Sequence, residues 1–468
     1  MISRALRPAR ATARAAVLLA ALLLGATLSA VFAGPGAATE ASLQARIDAA
    51  PAGSVVFVRG VERGGVVIRK PLHLMGEPGA VLDGGARGTV VRIEAPGVVV
   101  SGLVLRNSGT DLNTEDAGVY VGAPDAILQD LTLENILFGL NLKRADGATI
   151  RRVTLSGPEL PLSRRGDAVR LWYSHRVTLS EVRSRRLRDI LIWFSESSTL
   201  HALDVAGSRY GVHLMYADDV RVLNSTFADN AVGAYVMYST GVRIDGNRFL
   251  RHRESTGVGL AFKESDAVLV TGNLLVRNHV GLYLDGTPRL EDGRSEVRGN
   301  IIAGNDTGIV LLGSATRNVI AGNRFEGNAR QVRVEGGGKA ANTWAQEGRG
   351  NYWGDYVGLD ADRDGVGDVP YRAREWFEGL EDRLPAAALF RGSAAVEAVD
   401  FAARLLPIFP PRVLVEDPAP LMTTPVPPEH RGSTGSAAFA AVSGLLAAAG
   451  LAGLRGRRAP TRWKGAAA

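Results

Sequence analysis

The sequence predicts an all-β fold, a right-handed single-stranded parallel β-helix, from a repeat and from the pattern inside it. Between residues 118 and 314 a short unit recurs about every 21 to 27 residues, and self-similarity at this period is typical of solenoids. Each unit has a small residue followed by an alternating run, as in residues 211–215 and 233–237. Helical periodicity is absent, and a propeller blade needs about 40 residues. We therefore expect short strands stacked in coils with three faces per turn.

The alternating runs assign each side chain to a face of the coil. Counting the small residue as zero, positions one and three are apolar in every unit, as in Val212 and Leu214. Period-two alternation places such residues on one buried face of a strand. Asparagine recurs where turns are expected, for example at Asn273 and Asn300, and stacked asparagines can hydrogen-bond from coil to coil.

Composition excludes several classes of function. The chain has 468 residues, of which 46% are hydrophobic and 22% charged, 56 glycines and no cysteine. Thiolate metal sites and cysteine nucleophiles are therefore excluded. The net charge of +6 is scattered without a basic stripe, so nucleic acid is not an expected partner. The chain has no phosphate-binding loop motif, so we expect any ATP hydrolysis to belong to a partner.

The N-terminus is typical of an export signal, and residues 1–33 are predicted to be a signal peptide. Basic residues including Arg10 and Arg14 precede an apolar run, and Ala30 and Ala33 offer cleavage sites. An uncleaved membrane anchor is the alternative. Either interpretation places the repeats outside the cytoplasm.

The rest of the chain divides by composition. We expect the β-helix over residues 40–340, an Asp-rich loop and C-terminal cap over 341–420 and a Pro-rich linker over 421–436. Residues 437–454 are uncharged and followed by arginines, as in a transmembrane helix with a cytoplasmic end that tethers the protein to the inner membrane. A disordered Ala/Gly tail is the alternative interpretation of this segment.

The outward positions two and four carry an unusual set of side chains. A face that only met water would be polar, whereas tryptophan and methionine here occupy one column in consecutive units. Such a patch usually marks an interaction site, so Trp172, Trp193 and Tyr235 are predicted to dock a partner protein. The alternative is that a loop or the C-terminal segment covers the patch. The outward pairs are Arg170/Trp172, Leu191/Trp193, His213/Met215, Tyr235/Met237, Ala261/Lys263 and Tyr283/Asp285.

Within this patch His213, Met215 and Met237 form a candidate copper site. His213 and Met215 are two residues apart and share a face, about 7 Å apart along the strand, and Met237 stacks one coil further on. An imidazole with two thioethers suits Cu(I) rather than Mg²⁺ or Ca²⁺. The alternative is that these side chains pack against a covering segment.

Hydrolytic chemistry is not favoured on this face. Outward carboxylates are sparse, none stack closely enough for an acid/nucleophile pair, and Asp285 stands beside Lys263 in an expected solvated ion pair. A carbohydrate-binding or carbohydrate-active β-helix remains the alternative function, because the outward tryptophans and tyrosines could stack on sugar rings.

The Asp-rich loop after the repeats resembles the first part of a calcium loop. Carboxylates at positions 1, 3, 5 and 9, with glycine at position 6, are the pattern expected for Ca²⁺, although Tyr371 stands where the bidentate glutamate would be. Alternatively the carboxylates cap backbone amides. Residues 393–406 are predicted to form an amphipathic helix that caps the last coil. The calcium candidates are Asp360, Asp362, Asp364 and Asp368.

Taken in order, several motifs resemble the NosD family over about residues 40–422. The succession is RLWYS at 170–174, IWFS at 192–195, RYGVHLMY at 209–216, VMYS at 236–239, KESD at 263–266, GNYWGDY at 350–356, the Asp-rich loop and DPAPLM at 417–422. Phe194, Phe262 and Glu264 depart mildly from the family pattern. The resemblance implies a periplasmic, non-enzymatic β-helix protein that assists copper-site maturation of nitrous oxide reductase. It further implies that ABC transporter subunits and a copper chaperone are partners, and that His213, Met215 and Met237 line the copper path.

Overall fold

The chain folds as a parallel β-solenoid of about 12 turns, in a computed structural model that describes residues 41–336, 341–375, 393–394, 398, 402 and 412–425. The prediction of a parallel β-helix is confirmed. Residues 41–49 form a unit of their own around helix α1, Leu43–Ala49, in which Leu43 and Ile47 are buried. A short 3₁₀ helix lies at Leu162–Arg164.

The strands are short throughout. The first eighteen are β1 Val55–Val58, β2 Val61–Arg63, β3 Val66–Ile68, β4 His73–Gly76, β5 Val81–Asp83, β6 Val91–Ile93, β7 Val99–Ser101, β8 Val104–Arg106, β9 Ala117–Val121, β10 Ile127–Glu134, β11 Phe138–Lys143, β12 Thr149–Ser156, β13 Val169–Trp172, β14 Thr178–Arg185, β15 Asp189–Trp193, β16 Thr199–His201, β17 Asp204–Ala206 and β18 Tyr210–Met215. The others are β19 Arg221–Leu223, β20 Thr226–Ala228, β21 Val232–Met237, β22 Arg243–Asp245, β23 Arg248–Leu250, β24 Val258–Lys263, β25 Leu269–Thr271, β26 Leu274–Val276, β27 Val280–Asp285, β28 Ser295–Arg298, β29 Ile301–Ala303, β30 Thr307–Leu312, β31 Asn318–Ala321, β32 Arg324–Glu326, β33 Arg330–Glu335, β34 Tyr352–Trp353, β35 Tyr371–Glu375 and β36 Arg412–Asp417.

Three strands per turn build three faces. One face is a 12-stranded parallel sheet, β3-β6-β9-β11-β13-β15-β18-β21-β24-β27-β30-β33, and the other two belong to a 22-stranded sheet. Strands β10, β12 and β14 run along both of these latter faces and bend at residues with positive φ, Asp130, Arg152 and Glu181. From β16 to β32 two separate strands of three or four residues replace each bent one, as in β19 and β20.

The core is a set of inward columns, one side chain per coil. Val212 and Leu214 of β18 are fully buried, as are Ala234 and Val236 at the same positions of β21. Burying such columns removes apolar area from water, which stabilises the fold by about 25 cal/mol per Å². On another face Phe227 and the next residue of its column stack with ring centroids 5.3 Å apart.

An asparagine ladder runs along one corner of the solenoid, with one asparagine in each successive coil. The side-chain amide of each asparagine donates to the Oδ1 of the next: Asn247 to Asn273 (3.1 Å), Asn273 to Asn300 (3.0 Å), Asn300 to Asn323 (2.9 Å) and Asn323 to Asn351 (3.0 Å). These residues are buried, so the ladder also accepts from and donates to backbone groups that would otherwise lack partners.

Asp417 closes the ladder at the C-terminal end. Its carboxylate accepts hydrogen bonds from the backbone amide of Asn351 (2.7 Å) and from Trp353 Nε1 (2.8 Å). Trp353 lies between Phe325, 4.5 Å away, and Tyr371, 4.2 Å away, so its ring continues the inward aromatic stack. The described end of the solenoid is therefore sealed by β34 and by the antiparallel pair β35–β36.

Several predicted segments lie outside the described residues. These are the signal peptide at 1–33, the spanning segment at 437–454, all but the first residues of the linker at 421–436 and most of the helix at 393–406. The domain boundaries stay predictions. Within the described ranges, none of the helices has the length and apolar character that crossing a bilayer requires.

The ladder predicts a large cost for removing one rung. Changing Asn300 to Ala deletes hydrogen bonds to Asn323 and to the Val270 carbonyl and leaves buried groups unpaired. We expect the free energy of unfolding to fall by about 2 to 4 kcal/mol, since each unsatisfied buried group costs about 1 to 3 kcal/mol. Urea denaturation followed by circular dichroism measures this. Asn113, which is exposed, is the matched control, and equal effects of the two changes to Ala would contradict a structural ladder.

Candidate metal centre and docking face

Two outward columns of the 12-stranded sheet form the candidate site. The members of each column are Cα partners on successive strands. They line up because neighbouring strands pair in register at these positions, in the order β13, β15, β18, β21, β24 and β27. The histidine column consists of Arg170, Leu191, His213, Tyr235, Ala261 and Tyr283. The sulfur column consists of Trp172, Trp193, Met215, Met237, Lys263 and Asp285.

The three candidate copper ligands lie together. Met215 and Met237 are Cα partners on adjacent strands, and strands lie about 4.8 Å apart. His213 precedes Met215 by two residues on the same face, and all three side chains are half-buried rather than in the core. Both thioethers and an imidazole therefore fall within one small area, and their role as copper ligands stays a prediction.

His213 is held neutral with both ring nitrogens free. Burial, and then the positive charge of Arg209, lower its pKa to about 4. Nδ1 and Nε2 are both buried, and neither has a hydrogen-bond partner among the described residues. Tyr210 meets the imidazole edge-on at 4.9 Å and Tyr235 lies 6.4 Å away. A neutral imidazole with two free nitrogens can receive a soft metal ion without first losing a proton.

Buried ion pairs border this imidazole. Asp167 and Asp189 have no exposed side-chain surface, and Arg188 lies within 3.2 Å of the first and 4.0 Å of the second. Arg170 donates to Asp167 at 2.8 Å, and Arg209 donates from Nε to Asp189 at 3.2 Å. Burial raises the pKa of Asp167.

This network was not predicted from the sequence, although an aspartate precedes the inward residues in two consecutive units. Asp167 and Asp189 belong to adjacent coils and do not occupy the outward positions two and four. Each of these two carboxylates is enclosed by guanidinium groups.

An aromatic ladder borders the sulfur column where the strands end. Tyr173, Phe194, Tyr216 and Tyr238 each follow an outward Trp or Met and adopt positive φ, from 47° to 52°. Their rings stack at 4.9, 5.0 and 5.1 Å with nearly parallel planes. An aromatic residue in the left-handed region is uncommon, so sequence reasoning missed this ladder. The signal that could have found it is an aromatic residue between each outward position four and a small residue.

The tryptophans of the predicted docking patch join this ladder. Trp172 and Trp193 meet edge-on at 4.5 Å, and Trp193 stacks on Phe194 at 5.6 Å. Both are half-buried, and Trp193 Nε1 is buried without a partner among the described residues. Burial raises the pKa of Tyr235 to about 12, so this phenol stays neutral. Lys263 and Asp285 lie 3.9 Å apart at the next two positions of the sulfur column.

In the Asp-rich loop, three of the four predicted Ca²⁺ ligands lie close together. Carboxylate oxygens of Asp360, Asp362 and Asp364 lie within 4.8 Å of one another. Asp368 instead accepts a hydrogen bond from the Ala361 amide at 2.7 Å. Asp360, Asp362 and Asp364 also accept from amides within the loop, as capping would require. Calcium binding stays a prediction.

Comparison with known proteins identifies relatives that match most of the chain. A family model described as periplasmic copper-binding protein (NosD) matches residues 151–358. A protein of Pseudomonas aeruginosa named as a probable ABC transporter binding protein, NosD, is 31% identical over 391 residues, covering 77% of this chain and 86% of its own length. A relative of the same name from Stutzerimonas stutzeri is 28% identical over 386 residues, with 78% and 86% covered.

Among solved structures the similarity concerns the fold. The A-module of the mannuronan C-5 epimerase AlgE6 from Azotobacter vinelandii has a TM-score of 0.55 at 16% identity, covering 65% of this chain and 93% of that one. The corresponding AlgE4 module has a TM-score of 0.50 at 14% identity, covering 64% and 94%. At these identities the likeness shows a shared β-helix and carries no inference about activity.

The imidazole of His213 should titrate far below an ordinary histidine. Because its folded pKa of about 4 lies below the unfolded value of about 6.5, the unfolded chain binds more protons between these values. Stability therefore falls as pH falls through this window and is unaffected by His213 above it. Nuclear magnetic resonance of ¹⁵N-histidine-labelled protein measures the midpoint, with the His213→Asn variant for assignment. A midpoint at or above pH 6 would contradict a buried, neutral imidazole.

Proposed function

The chain belongs to the NosD family, and we propose that it is a periplasmic copper-handling and docking protein. In this proposal it assists maturation of the copper sites of nitrous oxide reductase, receiving Cu(I) from a copper chaperone and working with ABC transporter subunits. The role is non-catalytic: the solenoid holds and presents cargo, and the transporter hydrolyses ATP. The name of the Pseudomonas relative, an ABC transporter binding protein, supports the transporter as a partner.

The observation that carries this proposal is the chemistry around His213. Both ring nitrogens are buried without a hydrogen-bond partner among the described residues. Such burial lowers the stability of the fold unless a ligand binds to one of the nitrogens. Met215 and Met237 supply two neutral, polarisable sulfur atoms beside it. Neutral nitrogen and thioether donors suit Cu(I), whereas Ca²⁺ and Mg²⁺ require oxygen ligands.

The surroundings of this site favour transfer over tight storage. The ligands are half-buried on an outer face, so an incoming chaperone can reach them without unfolding the coil. Trp172, Trp193 and Tyr235 stand next to the ligands in the same two columns. Large aromatic side chains dominate the energetics of interfaces, so these three are the proposed anchors for a partner that brings or removes copper.

Removal of the three ligands should abolish Cu(I) binding but not the fold. In the variant with His213, Met215 and Met237 all changed to Ala, we expect the affinity for Cu(I) to fall more than about 100-fold, since losses in the second shell alone cost about 10- to 100-fold. An anaerobic competition titration with a chromogenic Cu(I) chelator measures the affinity. Changing Met75 and His201, which lie on the other sheet, to Ala is the matched control. Unchanged affinity in the triple variant would exclude this site, and binding of acidic oligosaccharides instead of Cu(I) would favour the carbohydrate alternative.

Removal of an aromatic anchor should weaken docking while leaving the fold intact. For Trp193→Ala we expect the Kd for the cognate copper chaperone or transporter to rise about 30-fold, which corresponds to a hot-spot loss of about 2 kcal/mol. Biolayer interferometry measures the Kd, and Phe57→Ala is the control, because Phe57 is exposed on the other sheet. Equal Kd values for the two variants would remove Trp193 from the interface. Loss of the β-rich circular dichroism spectrum would show instead that this ring supports the core.

A further inference from the structure

The indole of Trp193 is the neighbour of the two methionines at one end of their pair. Trp193 and Met215 are Cα partners, and Met215 is in turn the partner of Met237. Because strands lie about 4.8 Å apart, the ring stands one coil before the first thioether. All three side chains are half-buried on the same outward face. An ion bound to the two sulfur atoms therefore lies close to this ring.

The aromatic ladder shows how the indole is oriented. The rings of Phe194 and Tyr216 stack with centroids 5.0 Å apart and planes 2° from parallel, and Tyr173 stacks on Phe194 at 4.9 Å. These distances are close to the spacing of one coil, so the faces of the stacked rings are turned toward the neighbouring coils. The plane of Trp193 is only 16° from that of Phe194. The two faces of the indole are therefore also turned toward the neighbouring coils.

The two faces of the indole meet different neighbours. Trp172 is the Cα partner of Trp193 in the preceding coil and meets it edge-on, with centroids 4.5 Å apart and planes at 73°. The opposite face is turned toward the following coil, where the partner position holds Met215. The indole thus presents a π face, not an edge, to the two methionines.

The same backbone pairing fixes the ring and the thioether. The backbone amide of Phe194 donates to the carbonyl of Met215 at 3.1 Å, and the Phe194 ring stacks on Trp193 at 5.6 Å. The residue that orients the indole is therefore hydrogen-bonded to the methionine that the indole faces. This arrangement holds the π face in place before any ion binds.

The nitrogen of the indole supports a role for the ring itself. Trp193 Nε1 is buried and has no hydrogen-bond partner among the described residues, although a buried indole usually finds one. A phenyl ring would pack at this position without burying an unpaired N–H group. What the indole offers in exchange is its π face, which attracts cations more strongly than that of phenylalanine or tyrosine.

Charge differs between the two ends of the methionine pair. Beyond Met237 the next residue of the sulfur column is Lys263, whose ammonium lies 3.9 Å from the carboxylate of Asp285. An ammonium group repels a second cation, and its partner carboxylate offsets this repulsion only in part. The residue before Met215 is the neutral indole. A cation held by the two sulfur atoms is therefore favoured on the side of Trp193.

We propose that the face of Trp193 caps the Cu(I) ion held by His213, Met215 and Met237, through a cation–π contact rather than a coordinate bond. This inference rests on the copper site of the proposed function. Three donors leave one side of the ion open, and the indole covers that side and excludes water from it. Because the ring adds no fourth donor atom, the ion stays available for transfer. The exposed part of the half-buried indole remains available to a docking partner.

Fluorine nuclear magnetic resonance of the full chain labelled with fluorotryptophan tests the contact directly, because each of the six tryptophans gives its own resonance. The protein is titrated anaerobically with Cu(I), whose closed d shell does not broaden the signals. The variants Trp172→Phe and Trp193→Phe assign two resonances. On saturation we expect the resonance of Trp193 to shift most and that of Trp172 to shift less. Trp344 and Trp353, at the C-terminal end of the solenoid, should not respond.

The outcomes of this titration separate the cap from the copper site. A shift of the Trp193 resonance that disappears when Met215 and Met237 are changed to Leu supports the proposal. Cu(I) binding that requires His213 and the two methionines but leaves the Trp193 resonance in place would overturn the cap and leave the proposed function intact. Absence of Cu(I) binding by the parent protein would overturn both.

The affinity for Cu(I) gives a second readout, which docking does not affect because no partner is present. For Trp193→Leu we expect the affinity to fall about 2- to 30-fold, the range that one cation–π contact supports, and Trp193→Phe should lie between Trp193→Leu and the parent. Trp172→Leu is the matched control, since it removes a ring from the far face of the indole, and should leave the affinity nearly unchanged. Thermal melts check that each variant folds. Equal affinities of the two leucine variants would overturn the cap.

Discussion

In-register parallel pairing of the 12-stranded sheet is the constraint on which the rest of this structure depends. Each strand repeats the alternation of its neighbour, so inward columns stay apolar and outward columns collect whatever the sequence supplies. Because Met215 is the Cα partner of Met237, and His213 the partner of Tyr235, the soft ligands and the aromatic rings meet without any long loop. A slip of one residue would bury His213 and expose Leu214, so the same hydrophobic columns that stabilise the fold also fix the geometry of the site.

The electrostatics of this face follow from burial. Asp167 and Asp189 are enclosed by arginines, and the nearby charge of Arg209 acts with burial to keep His213 unprotonated. The predicted copper ligands are therefore neutral, and both neighbouring aspartates are paired with arginines. The backbone is similar to that of a solved β-helix, and this likeness concerns the fold alone.

Periodicity was sufficient to predict the solenoid and both outward columns, because an alternating strand in a repeat leaves few choices for each side chain. The asparagine ladder was also predictable from recurrence at turns. The aromatic ladder was not, since Tyr216 and Phe194 adopt a backbone conformation that such residues rarely take. Asp417 could not be linked to Asn351 because 66 residues separate them. The burial of both sides of β26 was not predictable for another reason: its sequence, Leu-Leu-Val, has no alternation from which to assign an inward and an outward side.

The most direct test of the proposed copper site is X-ray absorption at the selenium edge of Cu(I)-loaded protein labelled with selenomethionine. Of five methionines in the chain, only Met215 and Met237 lie in the sulfur column, so copper should appear as a neighbour of selenium. We expect that signal to persist in a Met75→Leu variant and to disappear when Met215 and Met237 are changed to Leu. Copper bound stoichiometrically with no selenium neighbour, or a selenium–copper contact that survives the double change, would contradict the assignment of the site.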